Sequence, residues 1–259
     1  MATLSVTIIC KNESLNIAEC IQSALFADEI IVLDSGSTDN TVSLARKLGA
    51  KVIRTDWPGY GIQKNRAIDH SNSDWIFSLD ADERISEALA KEILKAIHNE
   101  EYKVFDVPRK SLYVTRFIKH SGWYPDRPRR LFKKKAAKFC KSQIHESLQT
   151  SHDVGHLKEP LIHYSYRDFE TVLRKVNQYS SLMAEKKIME GEGTTSLKKA
   201  IFHGMWAFVR TYLIRAGFLD GREGLILAIS NAEVVYYRHL KIMQLQSKKN
   251  KFNFANKFK

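Results

Sequence analysis

Three cysteines are all that this 259-residue chain contains, and Cys10, Cys20 and Cys140 follow no C-x-x-C spacing. A disulfide framework and a zinc ribbon are therefore excluded as organising devices, and a reducing compartment is expected. Long apolar runs are missing as well. Leu225 to Ile229 falls far short of the roughly 20 residues that a membrane-spanning helix needs. The opening residues MATLSVTIIC carry no basic segment, no long apolar stretch and no small-residue cleavage site, so no secretion signal is expected. Nor does a G-x-G-x-x-G follow any strand-like segment: Gly59-Tyr60-Gly61 lacks the third glycine and follows Trp57-Pro58, which disfavours a dinucleotide-dependent dehydrogenase. Internal repeats and low-complexity linkers are absent too.

What is present is 44% apolar residues, enough for one sizeable core or for a core with a smaller helical appendage. The net charge of +12 is unevenly spread. Residues 1–102 hold 10 Lys+Arg against 16 Asp+Glu, and residues 103–141 hold 13 against 2. Residues 142–199 are balanced at 8 against 8, and residues 200–259 hold 10 against 3. An acidic first part joined to two basic blocks separates two tasks: carboxylates for a metal or a polar ligand, cations for an anionic acceptor or surface. Solvated faces are the plainer explanation of each block.

The first hundred residues alternate strand and helix patterns. Strands are expected at 4–10, 29–33, 51–54 and 75–79, and helices near 16–26, 39–48, 61–70 and 86–98. Asn16 and Glu19 have capping-box spacing, Ile17, Ile21, Ala24 and Leu25 would share a buried face, and Gly49 can end the second helix in a left-handed cap. This rhythm implies an α/β fold with a mostly parallel sheet flanked by helices. Ligands then bind at the carboxyl ends of the strands. Short strands with turns follow from 103 to about 165, and helices from about 168 to 243, with a frayed Lys- and Asn-rich tail. Residues 1–195 are expected to form the ligand-binding and catalytic domain, and 196–259 a basic helical appendage.

Three polar clusters end expected strands. In LDADER, Asp80 and Asp82 follow an apolar strand, where two carboxylates one residue apart can address a divalent cation and a ribose, and hard oxygen ligands suit Mg²⁺ or Mn²⁺. By itself D-x-D is as compatible with an acidic helix start. In LDSGSTDNT, Asp34 can accept from a uracil imide or a ribose hydroxyl, or can simply build the turn. IICKNES places Cys10, Asn12 and Glu13 at a third strand end, where a base could be cradled. Their coincidence at one sheet edge is worth more than any one of them.

Read in order, VTIICKNE, IVLDSGSTDNT, QKNR and SLDADE resemble the family-2 inverting glycosyltransferases of GT-A fold. Within that family, the later RPRRLF, IHESL and AGFLDGREG elements resemble the lipopolysaccharide inner-core β-1,4-glucosyltransferase group. The resemblance implies that Asp34 contacts uracil, Asp80 the ribose or metal, and Asp82 the metal bridging the diphosphate. It also places Gln63, Lys64 and Arg66 near the donor phosphates or ribose. Glu146 would be the base that takes the acceptor proton, although this chain has His-Glu where a Glu-Asp pair is common in the family. His145 is open as a metal ligand, a phosphate contact or a packing residue.

Arg127, Arg129 and Arg130 are candidates for gripping a leaving diphosphate or a phosphorylated acceptor, because guanidinium groups bind phosphate bidentately. Lys133 to Lys135 read as solvated surface. Phe202, Trp206, Val209, Leu213 and Ala216 fall on one helical face, with Arg210, Arg215 and Arg222 beside it. That pattern fits a helical hairpin in the headgroup region, and equally a stripe packed on the sheet domain. The expected partners are a nucleotide-sugar donor such as UDP-glucose, a lipid-linked saccharide acceptor and an anionic membrane surface. By resemblance the protein is bacterial, at the inner face of the cytoplasmic membrane. A polyprenyl-phosphate acceptor is the alternative within the enzyme class. A nucleic-acid-binding module would explain the charge but not the strand-end carboxylates, so no nucleic acid is expected.

Overall fold

All seven residues of Leu4–Cys10 (β1) are buried, the pattern of a strand covered on both faces of a parallel sheet. Its Ser5 is satisfied locally, donating its hydroxyl to Glu29 and bonding Ser73 and Ser71. In the computed structural model, which describes residues 2–99, 101–140, 147–191 and 194–256, β1 pairs in parallel with Glu29–Asp34 (β2) and Trp75–Asp80 (β4). Lys51–Arg54 (β3) continues the parallel order from β2. After the short Glu83–Arg84 (β5), the sheet extends beyond β4 through Val104–Asp106 (β6), Arg129–Lys133 (β9) and Val154–His156 (β12). Its strand order is β12-β6-β9-β4-β1-β2-β3. β9 is antiparallel to both its neighbours, so the sheet is mixed on that side. Lys138–Phe139 (β10) and Leu148–Gln149 (β11) form a separate pair.

Helices Ile17–Ser23 (α1), Tyr60–Asp69 (α3) and Glu87–Asn99 (α4), with Thr41–Lys47 (α2), connect the first strands. The 3.6-residue period of α1 and α4 brings Ile17, Ile21, Leu89, Ile93 and Ile97 into one core with Val6, Ile8, Phe77 and Leu79. Each such burial stabilises by about 1.5–3 kcal/mol. Two local expectations are corrected. α1 ends at Ser23, so Leu25 is exposed. Asn16 makes no capping bond to α1: its backbone is helical, at φ −115° and ψ −39°, instead of extended, and its side-chain NH2 donates to Glu13. Gly49 does adopt the left-handed conformation after α2, with φ 83°.

The chain divides into two compact units: residues 1–110 with 125–164, and residues 111–124 with 165–259. The division expected at 195/196 therefore falls earlier, and a hairpin from the middle of the chain joins the helical part. Packing explains it. Tyr113 and Ile118 come from the hairpin of Arg109–Tyr113 (β7) and Arg116–Phe117 (β8). They share a core with Val172 and Val176 of Phe169–Met189 (α5) and with Leu227 of Gly221–Asn256 (α7). α5 starts at Asp168, whose side chain accepts from the Thr171 amide. Leu197–Val209 (α6) starts at Ser196, which accepts from Lys199. Leu161–Tyr166 (β13) carries the chain from the first unit into the second. α7 continues to Asn256 instead of fraying after Met243.

In the second unit, AGFLDGREG proves to be a knot. After a π-helical turn at Arg210–Ile214, Ala216 is left-handed and Gly217–Asp220 forms a 3-10 turn. The fully buried Asp220 carboxylate accepts from the backbone amides of Lys119 and His120 at 3.0 and 2.9 Å, and lies 3.2 Å from His120 Nδ1. A Cβ on Gly224 would overlap the Gly217 carbonyl oxygen. Gly224→Ala should accordingly destabilise the protein by about 2 kcal/mol or more, because backbone cannot give way as a flexible side chain can. Chemical denaturation checks this, with Gly204, where an added Cβ would meet only ordinary contacts from 3.4 Å outward, as a control position.

Candidate functional site

Parallel registry puts the expected clusters together. Cys10 lies opposite Asp34, and Ile9 opposite Asp80, so the carboxyl ends of β1, β2 and β4 are adjacent on one edge. The loops beyond them are knitted to one another. Asn12, left-handed at φ 55°, donates its amide to Ser37 Oγ and accepts from the Thr38 amide, both at 2.8 Å. Glu13 N–H donates to Thr41 Oγ1, and its carboxylate holds Asn16.

Asp34 is fully buried and builds its own turn, accepting from the amides of Gly36 and Ser37 at 3.2 and 3.1 Å. Gly36, with φ 84°, makes that turn possible. Cys10 donates its thiol to Asp34; burial, reinforced by the Asp34 charge, pushes the thiol far above its usual range, so it stays protonated.

α3 brings its polar residues to this edge. Gln63, fully buried, donates to Ser35 Oγ at 2.8 Å. Lys64, 3% exposed, lies 3.0 Å from Asp80. Arg66 turns the other way, onto Thr55 and Asp56. On the far side of Asp80 stands Arg130, 5% exposed, which bonds both Asp80 and the fully buried Glu83. Glu83 also accepts from the Asp80 amide and from Arg109, which in turn pairs with Asp126. The result is a ladder of alternating charge, Lys64, Asp80, Arg130, Glu83, Arg109, Asp126. Burial opposes the Asp80 charge, but Arg130 and then Lys64 outweigh it and hold this carboxyl well below the usual carboxylate range.

The three candidate arginines have different surroundings. Successive residues of a strand face opposite sides, and the three guanidinium groups have separate partners. Arg130 is on Asp80 and Glu83, Arg129 on the Leu148 carbonyl at 2.9 Å, and Arg127 on Asp106 and the Leu157 carbonyl.

Asp82 is placed differently from Asp80. Its partner is His163, whose Nε2 lies 3.2 Å from Oδ2. Pairing of β5 with β13 sets His163 opposite Glu83, and the Tyr164 amide donates to the Asp82 carbonyl at 2.9 Å. Arg84 fixes the intervening turn by donating to the carbonyls of Ala81, Glu83 and Asn16. No sequence motif flags His163, because only strand pairing brings it 81 positions back along the chain. Among the described residues no group of three His, Cys, Asp or Glu side chains gathers around one point. His145 and Glu146 lie outside the described residues. In the second unit, Phe202, Trp206 and Leu213 are 68%, 52% and 55% exposed, while Val209 and Ala216 are half-buried.

Residues 5–152 match the model of the family described as glycosyl transferase family 2. The chain belongs to glycosyl transferase family 2. A relative in Rickettsia typhi, named an uncharacterized glycosyltransferase, is 34% identical over 96% of this chain and 89% of its own length. The lipopolysaccharide core biosynthesis glycosyltransferase LpsC of Rhizobium meliloti is 29% identical over 91% of this chain and 93% of its own. Among solved structures, glucosyl-3-phosphoglycerate synthase from Mycobacterium tuberculosis, in complex with Mn²⁺, UDP and glucosyl-3-phosphoglycerate, is 28% identical. That match covers 43% of this chain and 44% of that one, with a TM-score of 0.36. In this glycosyltransferase the mostly parallel sheet flanked by helices is the GT-A type fold class that the sequence implied, and a helical region follows it.

The ladder makes its members interdependent, since removing one leaves a buried charge unpaired. Arg130→Met should therefore destabilise the protein by about 3–5 kcal/mol, while Arg129→Met, which loses one bond to a carbonyl, should cost about 1 kcal/mol. The Asp80 carboxyl is held low in the folded state, so its contribution is present above the unfolded value and is lost as pH falls through the folded one. Urea unfolding of wild type and both variants at neutral and acidic pH reads all three effects. Equal stability of the two variants would sink the ladder.

Proposed function

We propose that this protein transfers a sugar, glucose from UDP-glucose, to an inner-core heptose of lipopolysaccharide or lipooligosaccharide with inversion, forming a β linkage. The observation that carries the reading is the pair of Asp82 and His163 in the turn beyond β4, beside an Asp80 whose charge is already balanced. A carboxylate oxygen and an imidazole nitrogen within hydrogen-bond distance of each other can both reach one cation. Mg²⁺ or Mn²⁺ would keep its remaining positions for diphosphate oxygens and water. The donor set thus fits a divalent ion held by Asp82 and His163, which would neutralise the leaving diphosphate.

Asp80, kept anionic by Arg130 and Lys64, is an acceptor for ribose hydroxyls. The loops of Cys10, Asn12, Glu13 and Asp34 form a stiff floor for the base, and Gln63 and Lys64 line the same edge. Glu146, by its place in IHESL, is the base that removes the acceptor proton. LpsC supports the acceptor class by its name.

The deciding experiment is a transfer assay with UDP-sugars, Mg²⁺ or Mn²⁺ and truncated lipid A-core acceptors, read by mass spectrometry. Calorimetry of UDP binding accompanies it. Asp82→Asn and His163→Ala should each weaken cation-dependent UDP binding, and Glu146→Gln should cut turnover at least roughly 10²-fold with donor affinity kept. UDP affinity indifferent to EDTA would eliminate the metal. Transfer to polyprenyl phosphate instead would replace the acceptor.

The second unit supplies a bilayer contact in this reading. Phe202, Met205, Trp206, Leu213, Ile214, Phe218 and Leu219 are exposed. In the same segment Lys198, Lys199, Arg210, Arg215 and Arg222 are exposed too, whereas the carboxylates of Asp220 and Glu223 are buried. The exposed charged side chains of residues 197–223 are thus cationic, each contributing about 1 kcal/mol next to anionic lipid. No described helix is long and apolar enough to cross a membrane. Sedimentation with anionic vesicles should show binding that Phe202→Ser with Trp206→Ser weakens even at high salt, since insertion is unscreened. Wild-type protein left in the supernatant at low salt would remove the bilayer from the proposal.

A further inference from the structure

The first unit has a concavity that is lined by neither the Asp34 turn nor the Asp80–Asp82 turn. Its walls are the last turn of α3, with Asn65 and Asp69, the turn from Lys134 to Lys138, and Gln149 to Ser151. Its volume of about 560 Å³ lies in the range of small-molecule sites, roughly 300–1,000 Å³. In the run K-K-A-A-K, the alanines at 136 and 137 leave the space, and Lys134, Lys135 and Lys138 stand around it.

The walls are tied down. Asn65 donates its side-chain amide to the Phe139 carbonyl at 2.9 Å and accepts from the Phe139 amide at 3.0 Å. Thr150 Oγ1 donates to the Ala136 carbonyl at 2.9 Å, and Lys134 Nζ donates to the Ser71 carbonyl. Lys135 and Lys138 make no ion pair among the described residues, so their charge faces solvent or a ligand. The turn begins beside Asp74, where the Lys134 amide bonds the Asp74 carbonyl. Asp74 and Asp80 flank β4, ~20 Å apart at about 3.3 Å per residue, so the Lys134 wall is remote from the donor edge and Asn65, which follows Lys64, is the wall nearest to it.

We propose that this concavity is a binding site for a sugar phosphate. Three ammonium groups outnumber the single carboxylate of Asp69 and suit a phosphate. An ionised carboxylate only accepts hydrogen bonds; Asp69 thus repels a bare phosphate and welcomes a ligand that also carries hydroxyls, which Gln149 and Ser151 can bond as well. A soluble sugar phosphate and a phosphorylated sugar within a larger saccharide offer the same chemistry. The site stands independently of the transfer reaction.

The test is calorimetry with glucose 6-phosphate, glucose and inorganic phosphate. Glucose 6-phosphate should bind one site at least tenfold more tightly than either of the others, with UDP present or absent. Lys135→Ala with Lys138→Ala, both exposed and outside the donor edge, should weaken it at least tenfold while UDP affinity and melting temperature stay unchanged. Asp69→Asn should narrow the preference over inorganic phosphate. Displacement by UDP, an unchanged affinity in the double variant, or inorganic phosphate binding as tightly would each overturn the proposal. To separate the sources, phosphorylated and dephosphorylated core oligosaccharides are compared with glucose 6-phosphate, and a lysine-dependent preference for the phosphorylated form identifies the saccharide-borne ligand. If only phosphatidylglycerol vesicles respond to the lysines, the concavity is a lipid contact and the proposal falls.

Discussion

The contact between Arg130 and Asp80 is the constraint on which the strand-end site depends. One buried guanidinium ties the end of β4 to Glu83 in the next turn. Because β9 lies beside β4, the antiparallel sheet extension supplies the cation that the parallel part needs. Isolated, each buried charge would cost several kcal/mol of lost hydration. Arranged alternately, they hold the turn of Asp82 in one place. The site's geometry is thus bought with electrostatics instead of apolar packing, and each charge has a neighbour of opposite sign from a different element.

Such a ladder divides labour between two carboxylates that look equivalent in the sequence. Asp80 has strong cationic neighbours and is an anion whose charge is already balanced. Asp82 has an imidazole within hydrogen-bond distance. The spacing D-x-D says only that two carboxylates are near one another. The identity of their partners, read from β9, α3 and β13, separates a carboxylate balanced by two cations from one beside an imidazole.

What could be read from the chain in advance follows the range of the forces involved. Strand and helix periods, the left-handed Gly49 and the meeting of Cys10, Asp34 and Asp80 at one edge are local or follow from parallel pairing, and they were legible. His163 was not, since its relevance comes from the pairing of β13 with β5 across a long loop. Arg127, Arg129 and Arg130 read as one basic surface in the sequence, whereas in the fold Arg129 and Arg130 alternate along β9 and each of the three has its own partners. The packing units likewise differ from the domains expected on either side of 195/196, since the core residues of the second unit begin at Tyr113 and resume at Val172. AGFLDGREG was legible as a motif and opaque as a structure: Asp220 anchors a loop about a hundred positions upstream.

The second unit is discontinuous in sequence, and this sets an order for its assembly on the ribosome. By the time residue 164 has emerged, every strand of the first unit's sheet is available. The 111–124 hairpin must wait, because Asp220, which receives its backbone amides, and Leu227, against which Tyr113 packs, are made last. A hairpin with a buried tyrosine and two uncapped amides is therefore solvent-exposed during synthesis of about a hundred residues. A chain stopped anywhere before α7 would present that hairpin, with its apolar side chains, to chaperones or proteases.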